Sequence, residues 1–276
     1  MKLVISDIDN TLVPKHDTLS VRAKKCIEFL QNNGLYFGLA SGRSIEEIKR
    51  IIKRWGLLRV DCIVYLNGCG LLDNVKNENH EYYKMKREWI KETLEVMKKF
   101  SANPVMYYED RLLTRYVDSI VQLSAKTAGM QIRVAESDEE FYKVDNAKIM
   151  YRVKAHQMPI IEKYLTENPS DYYIGYKTQD TLIEFSDRRV SKAVALRSFC
   201  NANKISLKDV MAFGDTTNDN NMLKISGLGV CMLNGSDDTK QIADVVTTKS
   251  CNEDGWADFV ESYFLKHEGE KNDKII

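Results

Sequence analysis

The sequence lacks a net charge that would attract a polyanion, since its 276 residues include 40 basic and 40 acidic side chains. A nucleic acid is therefore not the expected partner, and a small ligand is the default expectation. No apolar run approaches the roughly 18 residues that a membrane-spanning helix needs. The chain enters an apolar segment at residue 3 without a charged-then-apolar leader. We therefore expect a cytoplasmic protein with no membrane partner.

Disulfide and zinc chemistry also lack their usual sequence patterns. The six cysteines contain no CxxC pair and are not clustered, so we predict that they are reduced and mostly buried. The four histidines have no metal-ligand spacing and are expected at the surface. These ten residues are Cys26, Cys62, Cys69, Cys200, Cys231, Cys251, His16, His80, His156 and His267.

The first part of the chain alternates between strand-like and helix-like segments. Apolar strands are predicted at residues 2–6, 36–40 and 62–66. Helices are predicted between them at 19–33, ended by Gly34, and at 44–55, where Ser44 and Glu47 have capping-box spacing. This βαβαβ order is typical of a parallel sheet.

From about residue 71 the composition changes, and eleven of the fourteen tyrosines lie between 71 and 186. Strands are predicted there at 105–108, 149–153, 172–176 and 181–185. The alternating pattern then resumes, with helices at 191–202, 218–224 and 255–265, strands at 210–213 and 229–232, and a polar tail from 267 that we expect to be frayed. We predict an α/β fold with a doubly wound, mostly parallel, Rossmann-like core sheet from residues 1–77 and 187–276, and an inserted α+β domain at 78–186.

Two carboxylates follow the first predicted strand. Asp7 and Asp9 are two positions apart, which places both side chains on the same side of an extended segment. Such close acids repel unless a cation lies between them, and Mg²⁺ takes oxygen ligands and usually recruits a phosphate as well. One aspartate can then attack phosphorus while the other handles protons. An Asp-x-Asp pair by itself is more often a solvated turn or a helix cap.

Ser41, Gly42 and Arg43 come directly after the second predicted strand. Ligands of open parallel α/β sheets bind beyond the carboxyl ends of the strands. A hydroxyl group and backbone N–H groups at a helix N-terminus favour an anion, and Gly42 permits its close approach. Ser41 is therefore a candidate donor to a phosphate oxygen, although a serine in such a turn is commonly only a helix cap.

A third polar cluster, residues 214–219, follows the predicted strand 210–213. Asp215 occupies the same position after its strand as Asp7 does after the first, so the two can share one metal ion. Asp219 lies on the next turn, where it can ligate through water or orient other groups. Lys192 lies in the first turn of a predicted helix, where its charge opposes the macrodipole unless an anion is near, so it is a candidate phosphate partner. A capping aspartate and a surface lysine are the simpler alternatives.

Together the segments DIDNTL, LASGRS, VSKAVAL and GDTTNDNNML resemble the four motifs of the haloacid dehalogenase (HAD) superfamily. Within it the chain resembles the Cof-like phosphatases (type IIB), which carry a large α/β cap after the third core strand. The resemblance covers essentially the whole chain, and YLNGCGLLD, with Asn67 and Gly68, is similar to the family's segment at the entry to the cap. It implies a Mg²⁺-dependent phosphatase acting on a small phosphorylated metabolite, most readily a sugar phosphate, as a monomer or weak homo-oligomer.

The resemblance also implies roles for individual residues. Asp7 is the nucleophile that forms an aspartyl-phosphate, and Asp9 is the general acid and then the base. Mg²⁺ is held by the carboxylates of Asp7 and Asp215 and by the main-chain carbonyl of Asp9, with Asp219 in support. The phosphoryl group is held by Ser41, Gly42 and Lys192, with Asn218 positioning Lys192 or the phosphate. Arg43 supports the loop, and Asn10, which stands where the family often has glycine, should tolerate a left-handed backbone.

Three other functions have related chemistry. A phospho-aspartate signalling domain uses similar groups, but it is about half this length and has no acid two residues after the nucleophile. A dehalogenase needs neither a metal nor Asp9. A phosphosugar mutase remains an alternative, because some relatives with similar caps move phosphate between sugar positions.

Overall fold

The computed structural model describes residues 1–14 and 18–272. Two compact units are present, one of Met1–Tyr82 with Ser191–Ile276 and the other of Tyr83–Val190. Their boundaries lie a few residues from the predicted limits of the inserted domain. His16 and residues 273–276 lie outside the described residues.

The secondary structure follows in chain order. The strands are β1 (Leu3–Ser6), β2 (Tyr36–Ala40), β3 (Cys62–Tyr65), β4 (Gly70–Asp73), β5 (Glu78–Glu81), β6 (Asn103–Tyr108), β7 (Arg111–Thr114), β8 (Gln131–Val134), β9 (Lys148–Arg152), β10 (Tyr173–Gln179), β11 (Leu182–Asp187), β12 (Val210–Gly214), β13 (Leu228–Cys231) and β14 (Val245–Val246). The α-helices are α1 (Val21–Asn32), α2 (Ile45–Trp55), α3 (Arg87–Lys98), α4 (Ser119–Ala128), α5 (Met158–Glu167), α6 (Lys192–Ala202), α7 (Asn220–Ile225), α8 (Asp237–Ile242) and α9 (Gly255–Asn272).

The first unit contains an eight-stranded sheet in the order β14-β13-β12-β1-β2-β3-β4-β5. The strands from β14 to β3 pair in parallel, and β4 and β5 add antiparallel pairs at one edge. In this register Ser6 lies beside Phe213 on one side and Leu39 on the other, so β1, β2 and β12 end at the same level. The predicted doubly wound, mostly parallel α/β core is confirmed.

Helices cover both faces of this sheet because successive strand residues point to opposite sides. Val4 and Phe37 contribute to a core shared with α1, α2 and α9. Leu3 and Ile5 contribute to the core on the other face, against α6 and α7. Strands buried on both faces explain the continuous apolar runs in the sequence.

Local signals set most of the element boundaries in this unit. Ser44 and Glu47 form the predicted capping box at the start of α2, and Gly56 ends the helix with a left-handed φ of 62°. The strand predicted at 62–66 ends one residue earlier, because Leu66 has a φ of 49°. Asn10 has a φ of 61°, so it adopts the left-handed backbone that it was predicted to tolerate.

The second unit contains a six-stranded sheet in the order β10-β11-β9-β6-β7-β8. The four strands predicted in this region correspond to β6, β9, β10 and β11, while β7 and β8 were not predicted. One face packs with α3 and α5 around residues such as Ile149 and Phe185. The other packs with α4 around residues such as Val105 and Met150. The inserted domain is therefore α+β, as predicted.

Other expectations are resolved by burial and by the C-terminal helix. All six cysteines are free and buried, as predicted, and His156 is exposed. The prediction that the last helix ends at 265 is wrong, because α9 continues to Asn272. Residues 267–272 of the predicted frayed tail are therefore helical, and the rest of that tail lies outside the described residues. Among the described helices, none combines the length and apolar character needed to cross a membrane.

Candidate active site

Three carboxylates from two neighbouring strand ends meet at the carboxyl edge of the first unit's sheet. Asp7 follows β1, Asp215 follows β12, and Asp219 lies one turn further on. One oxygen of each lies within 4.8 Å of the others, and all three residues are buried. The parallel register of β1 and β12 accounts for this arrangement, since Asp7 N–H donates to the Phe213 carbonyl at 3.0 Å. Oxygen ligands at such spacing can hold a hard divalent cation.

A buried ammonium group joins two of these carboxylates. Lys192 Nζ donates to Asp7 Oδ1 at 2.5 Å and to Asp219 Oδ1 at 2.6 Å. The lysine side chain is fully buried at the first residue of α6, after a helix cap in which the Ser191 hydroxyl accepts from Val194 N–H. The anions that offset its unfavourable position in the helix dipole are therefore carboxylates of the same site. A surface position for Lys192 is excluded.

The balance of charge in this cluster is negative. Three carboxylates face one ammonium. Burial raises the pKa of Asp7 most strongly, and repulsion from Asp219 and Asp215 raises it further. Burial and repulsion from Asp219 raise the pKa of Asp215 to about 7. Burial lowers the pKa of Lys192, but Asp219 and Asp7 outweigh it and raise that pKa overall. A buried set of oxygen ligands with surplus negative charge fits a divalent cation such as Mg²⁺.

Asp9 is held by an arginine. Arg43 Nε and Nη2 donate to the two oxygens of Asp9, both at 2.7 Å, in a bidentate pair that is partly buried. Sequence reasoning assigned Arg43 to loop support and missed this pair. The usable signal was that both residues follow adjacent parallel strands, β1 and β2, whose ends share one edge of the sheet.

Ser41 and Gly42 lie in the loop between β2 and α2. Ser41 is buried, and its hydroxyl accepts from Arg43 N–H at 3.3 Å. Gly42 packs on the amide of Asn67, since a Cβ at position 42 would lie 3.1 Å from Asn67 Oδ1. A larger side chain at position 42 would disturb this contact with Asn67, which explains why the position is a glycine.

Asn218 reaches the same amide from the turn after β12. Its Nδ2 donates to Asn67 Oδ1 at 3.1 Å, so Asn67 lies between the second and the third predicted clusters. Asn67 was noted only as part of a resembling segment and not as a site residue.

The third cluster is shaped by Asp219 and Thr11. Asp219 Oδ2 accepts from the backbone N–H groups of Asp215 and Thr216, at 3.0 and 3.2 Å. Asp219 therefore holds the turn while its other oxygen binds Lys192. Thr11 donates to Asp215 Oδ1 at 2.9 Å and was also missed, because a threonine within a polar loop carries no distinguishing signal.

Known proteins resemble this chain over nearly its whole length. Residues 4–260 match the family model described as haloacid dehalogenase-like hydrolase. A 5-amino-6-(5-phospho-D-ribitylamino)uracil phosphatase of Bacillus subtilis is 25% identical over 266 residues, which is 95% of this chain and 97% of the relative.

Solved structures share the fold. A haloacid dehalogenase-like hydrolase from Bacteroides thetaiotaomicron has a TM-score of 0.82 at 24% identity, covering 95% of this chain and 99% of its own. A sugar phosphatase of HAD subclass IIB has a TM-score of 0.81 at 19% identity, covering 96% and 100%.

Proposed function

The chain belongs to the haloacid dehalogenase-like hydrolases, and we propose that it is a Mg²⁺-dependent phosphatase that hydrolyses a small phosphorylated metabolite through an aspartyl-phosphate. The observation that carries this proposal is the buried cluster in which Lys192 binds Asp7 and Asp219 beside Asp215. Phosphate-ester hydrolysis needs a nucleophile, neutralised charge and an aligned attack, and this cluster offers groups for each.

The proposed reaction has two displacements. An oxygen of Asp7 attacks phosphorus and the bond to the leaving oxygen breaks, while Asp9 gives that oxygen a proton. Water then attacks the phosphorus of the aspartyl-phosphate, and Asp9 takes a proton from it. The products are the free alcohol, inorganic phosphate and the restored Asp7 carboxylate.

The remaining proposed roles concern charge and position. The carboxylates of Asp7 and Asp215 and the main-chain carbonyl of Asp9 would hold Mg²⁺, with Asp219 in support. The metal would supply positive charge that neutralises the phosphoryl oxygens. Ser41, Gly42, Lys192 and Asn218 are the proposed phosphate-binding residues.

A sugar phosphate is the proposed substrate class, and the second unit is the proposed source of specificity. One relative of known structure is described as a sugar phosphatase. Tyrosines suit this task because their rings can stack on a sugar and their hydroxyls can bond to it. Tyr151 and Tyr173, however, belong to the second unit's core, so only part of the tyrosine enrichment is available for substrate.

The proposed function is tested by phosphate release from a panel of sugar phosphates, polyol phosphates, nucleotides and pyridoxal phosphate, with Mg²⁺ and with a chelator. We expect Mg²⁺-dependent release with a preference among the sugar phosphates. Equal rates across the panel would contradict a dedicated sugar phosphatase, and transfer of phosphate between positions of one sugar would indicate a mutase. A cytoplasmic location and a monomeric or weakly associating state stay predictions.

A further inference from the structure

The turn that follows β3 has three consecutive residues in the left-handed region. Leu66, Asn67 and Gly68 have φ angles of 49°, 56° and 99°. A leucine is rarely found there, because its Cβ crowds the neighbouring backbone. A strained conformation of this kind persists only where the surrounding contacts hold it, and it is frequent at functional sites.

The backbone of this turn is bonded to the Ser41–Arg43 loop. Leu66 N–H donates to the Arg43 carbonyl at 2.9 Å, and Asn67 N–H donates to the Ser41 carbonyl at 3.0 Å. On its other side, Gly68 packs so closely on the start of α6 that a Cβ there would lie 2.0 Å from the Ser191 carbonyl oxygen. The turn therefore touches both the loop of Ser41 and the residue that precedes Lys192.

The Asn67 side chain adds a third connection. It is 8% exposed, its Oδ1 lies 3.1 Å from where a Cβ at position 42 would be, and it accepts a hydrogen bond from Asn218 Nδ2 at 3.1 Å. Asn218 itself is an exposed residue. A bond to a buried, conformationally fixed amide therefore restricts the orientation of an otherwise mobile side chain.

We infer that Asn67 is a positioning residue for the phosphoryl group, which it serves by orienting the Asn218 amide and seating the Gly42 backbone. This inference rests on the proposed function, in which Gly42 and Asn218 bind phosphate. The left-handed φ of Asn67 directs its side chain toward both Gly42 and Asn218. The strained turn is therefore coupled to both proposed phosphate-binding loops.

The test is a double-mutant cycle with Asn67→Gly and Asn218→Ala. Glycine keeps the left-handed backbone and removes only the amide. We expect each single change to lower kcat/KM for p-nitrophenyl phosphate with Mg²⁺ about tenfold, and the double change to lower it by clearly less than a hundredfold, because part of the effect of Asn67 passes through Asn218. A double variant about a hundredfold below the wild type would show independent effects and overturn the inference.

Asn77→Gly is the matched control. Asn77 also has a left-handed φ, 58°, but lies exposed between β4 and β5. We expect wild-type kinetics for it, so a loss seen only at position 67 belongs to the amide and not to the backbone.

Two further measurements keep the inference separate from folding and from the proposed function. Calorimetric binding of inorganic phosphate with Mg²⁺ should weaken about tenfold in Asn67→Gly, whether or not any ester is hydrolysed. If Asn67→Gly does not fold, Gly42→Ala replaces it, since its Cβ would lie 3.1 Å from the Asn67 amide and displace it. Phosphate binding unchanged from the wild type, in a folded variant at either position, would overturn the inference and leave the phosphatase proposal intact.

Discussion

Lys192 and Asp7 are 185 positions apart in the chain and are joined by a 2.5 Å hydrogen bond between buried atoms. The bond fixes one oxygen of the proposed nucleophile, and the same ammonium also holds Asp219. Removing the ammonium is expected to cost more than its bonds contribute, because the buried carboxylates of Asp7 and Asp219 are left uncompensated. Neutralising Asp7 leaves Lys192 paired with Asp219.

Asp7→Asn should abolish turnover without unfolding the protein. An amide has no anionic oxygen to attack phosphorus, so we expect phosphate release to fall by about 10³-fold or more. The raised pKa of Asp7 shows that its charge is poorly solvated, so the loss of that charge should leave the thermal midpoint near that of the wild type. Asp110→Asn is the control, since Asp110 is exposed and asparagine tolerates its φ of 58°. Full activity of Asp7→Asn would remove the proposed mechanism.

Lys192→Met should destabilise the metal-free protein by about 3–5 kcal/mol, because Asp7 and Asp219 would remain buried without their cation. Chemical denaturation measures this loss, and saturating Mg²⁺ should reduce it by replacing the missing positive charge. Lys126→Met, an exposed residue of α4, should change stability by less than about 0.5 kcal/mol. Equal stabilities of the two variants would contradict the buried ion pair.

Magnesium should stabilise the protein more at high pH than at low pH. Burial and repulsion raise the pKa of Asp215 from 3.8 to about 7, so the folded state binds this proton more tightly than the unfolded chain does. The metal-free protein therefore loses stability as the pH rises through that range. Mg²⁺ competes with the proton, so its contribution to the free energy of unfolding should be small near pH 5 and large near pH 8, about 2.7 kcal/mol at a hundredfold excess over Kd. The shift of the thermal midpoint should follow the same pH dependence. If the shift of the thermal midpoint caused by Mg²⁺ did not depend on pH, Mg²⁺ would not be bound by these carboxylates.

Arg43→Lys should lower kcat more than it raises KM. The guanidinium binds both oxygens of Asp9, whereas an ammonium can supply only a point charge. We expect about a tenfold loss of kcat from poorer placement of the proposed acid. Arg50→Lys, an exposed change on α2, the helix that follows the Ser41–Arg43 loop, should be silent. A change in KM alone would show that Arg43 acts on binding and not on Asp9.

In the second unit, the single change Lys148→Met should destabilise the protein more than the double change of Lys148→Met together with Glu184→Leu. Lys148 Nζ bonds to Glu184 Oε2 at 2.8 Å, and both side chains are buried. The single change leaves a buried charge, at about 3–5 kcal/mol, whereas an apolar pair of similar volume is often nearly neutral. Lys86→Met breaks the exposed bond to Asp145 and should cost about 1 kcal/mol or less. If the loss of stability in the double variant equalled the sum of the losses from the two single changes, the predicted coupling of Lys148 and Glu184 would be contradicted.

Much of the fold was accessible from the sequence because local patterns and burial agree there. The core strands are apolar on both faces, and Ser44 with Glu47 marks the start of α2 without any tertiary information. β7 and β8 were missed because they are short and the exposed positions of β8 carry little pattern. The position of Asp215 after its strand was enough to place it near Asp7.

What sequence reasoning missed in the site depends on side-chain partners. The sequence places Arg43 and Asp9 after adjacent strands, but it does not specify that they pair, that Thr11 binds Asp215, or that Asn67 accepts from Asn218. These bonds join loops from different strand ends, and their partners are set by the register of the sheet. The C-terminal helix was underestimated because its polar last turns carry no apolar stripe.

The reactivity of the six buried cysteines can be used to measure local opening of the protein. All of them lie in the unit of Met1–Tyr82 with Ser191–Ile276, and burial raises the pKa of Cys26 to about 12 and of Cys231 to about 11. Shielded, protonated sulfur reacts slowly with alkylating reagents. The rate at which iodoacetamide modifies the native protein would thus report fluctuations of the sheet that bears Asp7 and Asp215, while the unit of Tyr83–Val190 contributes no signal.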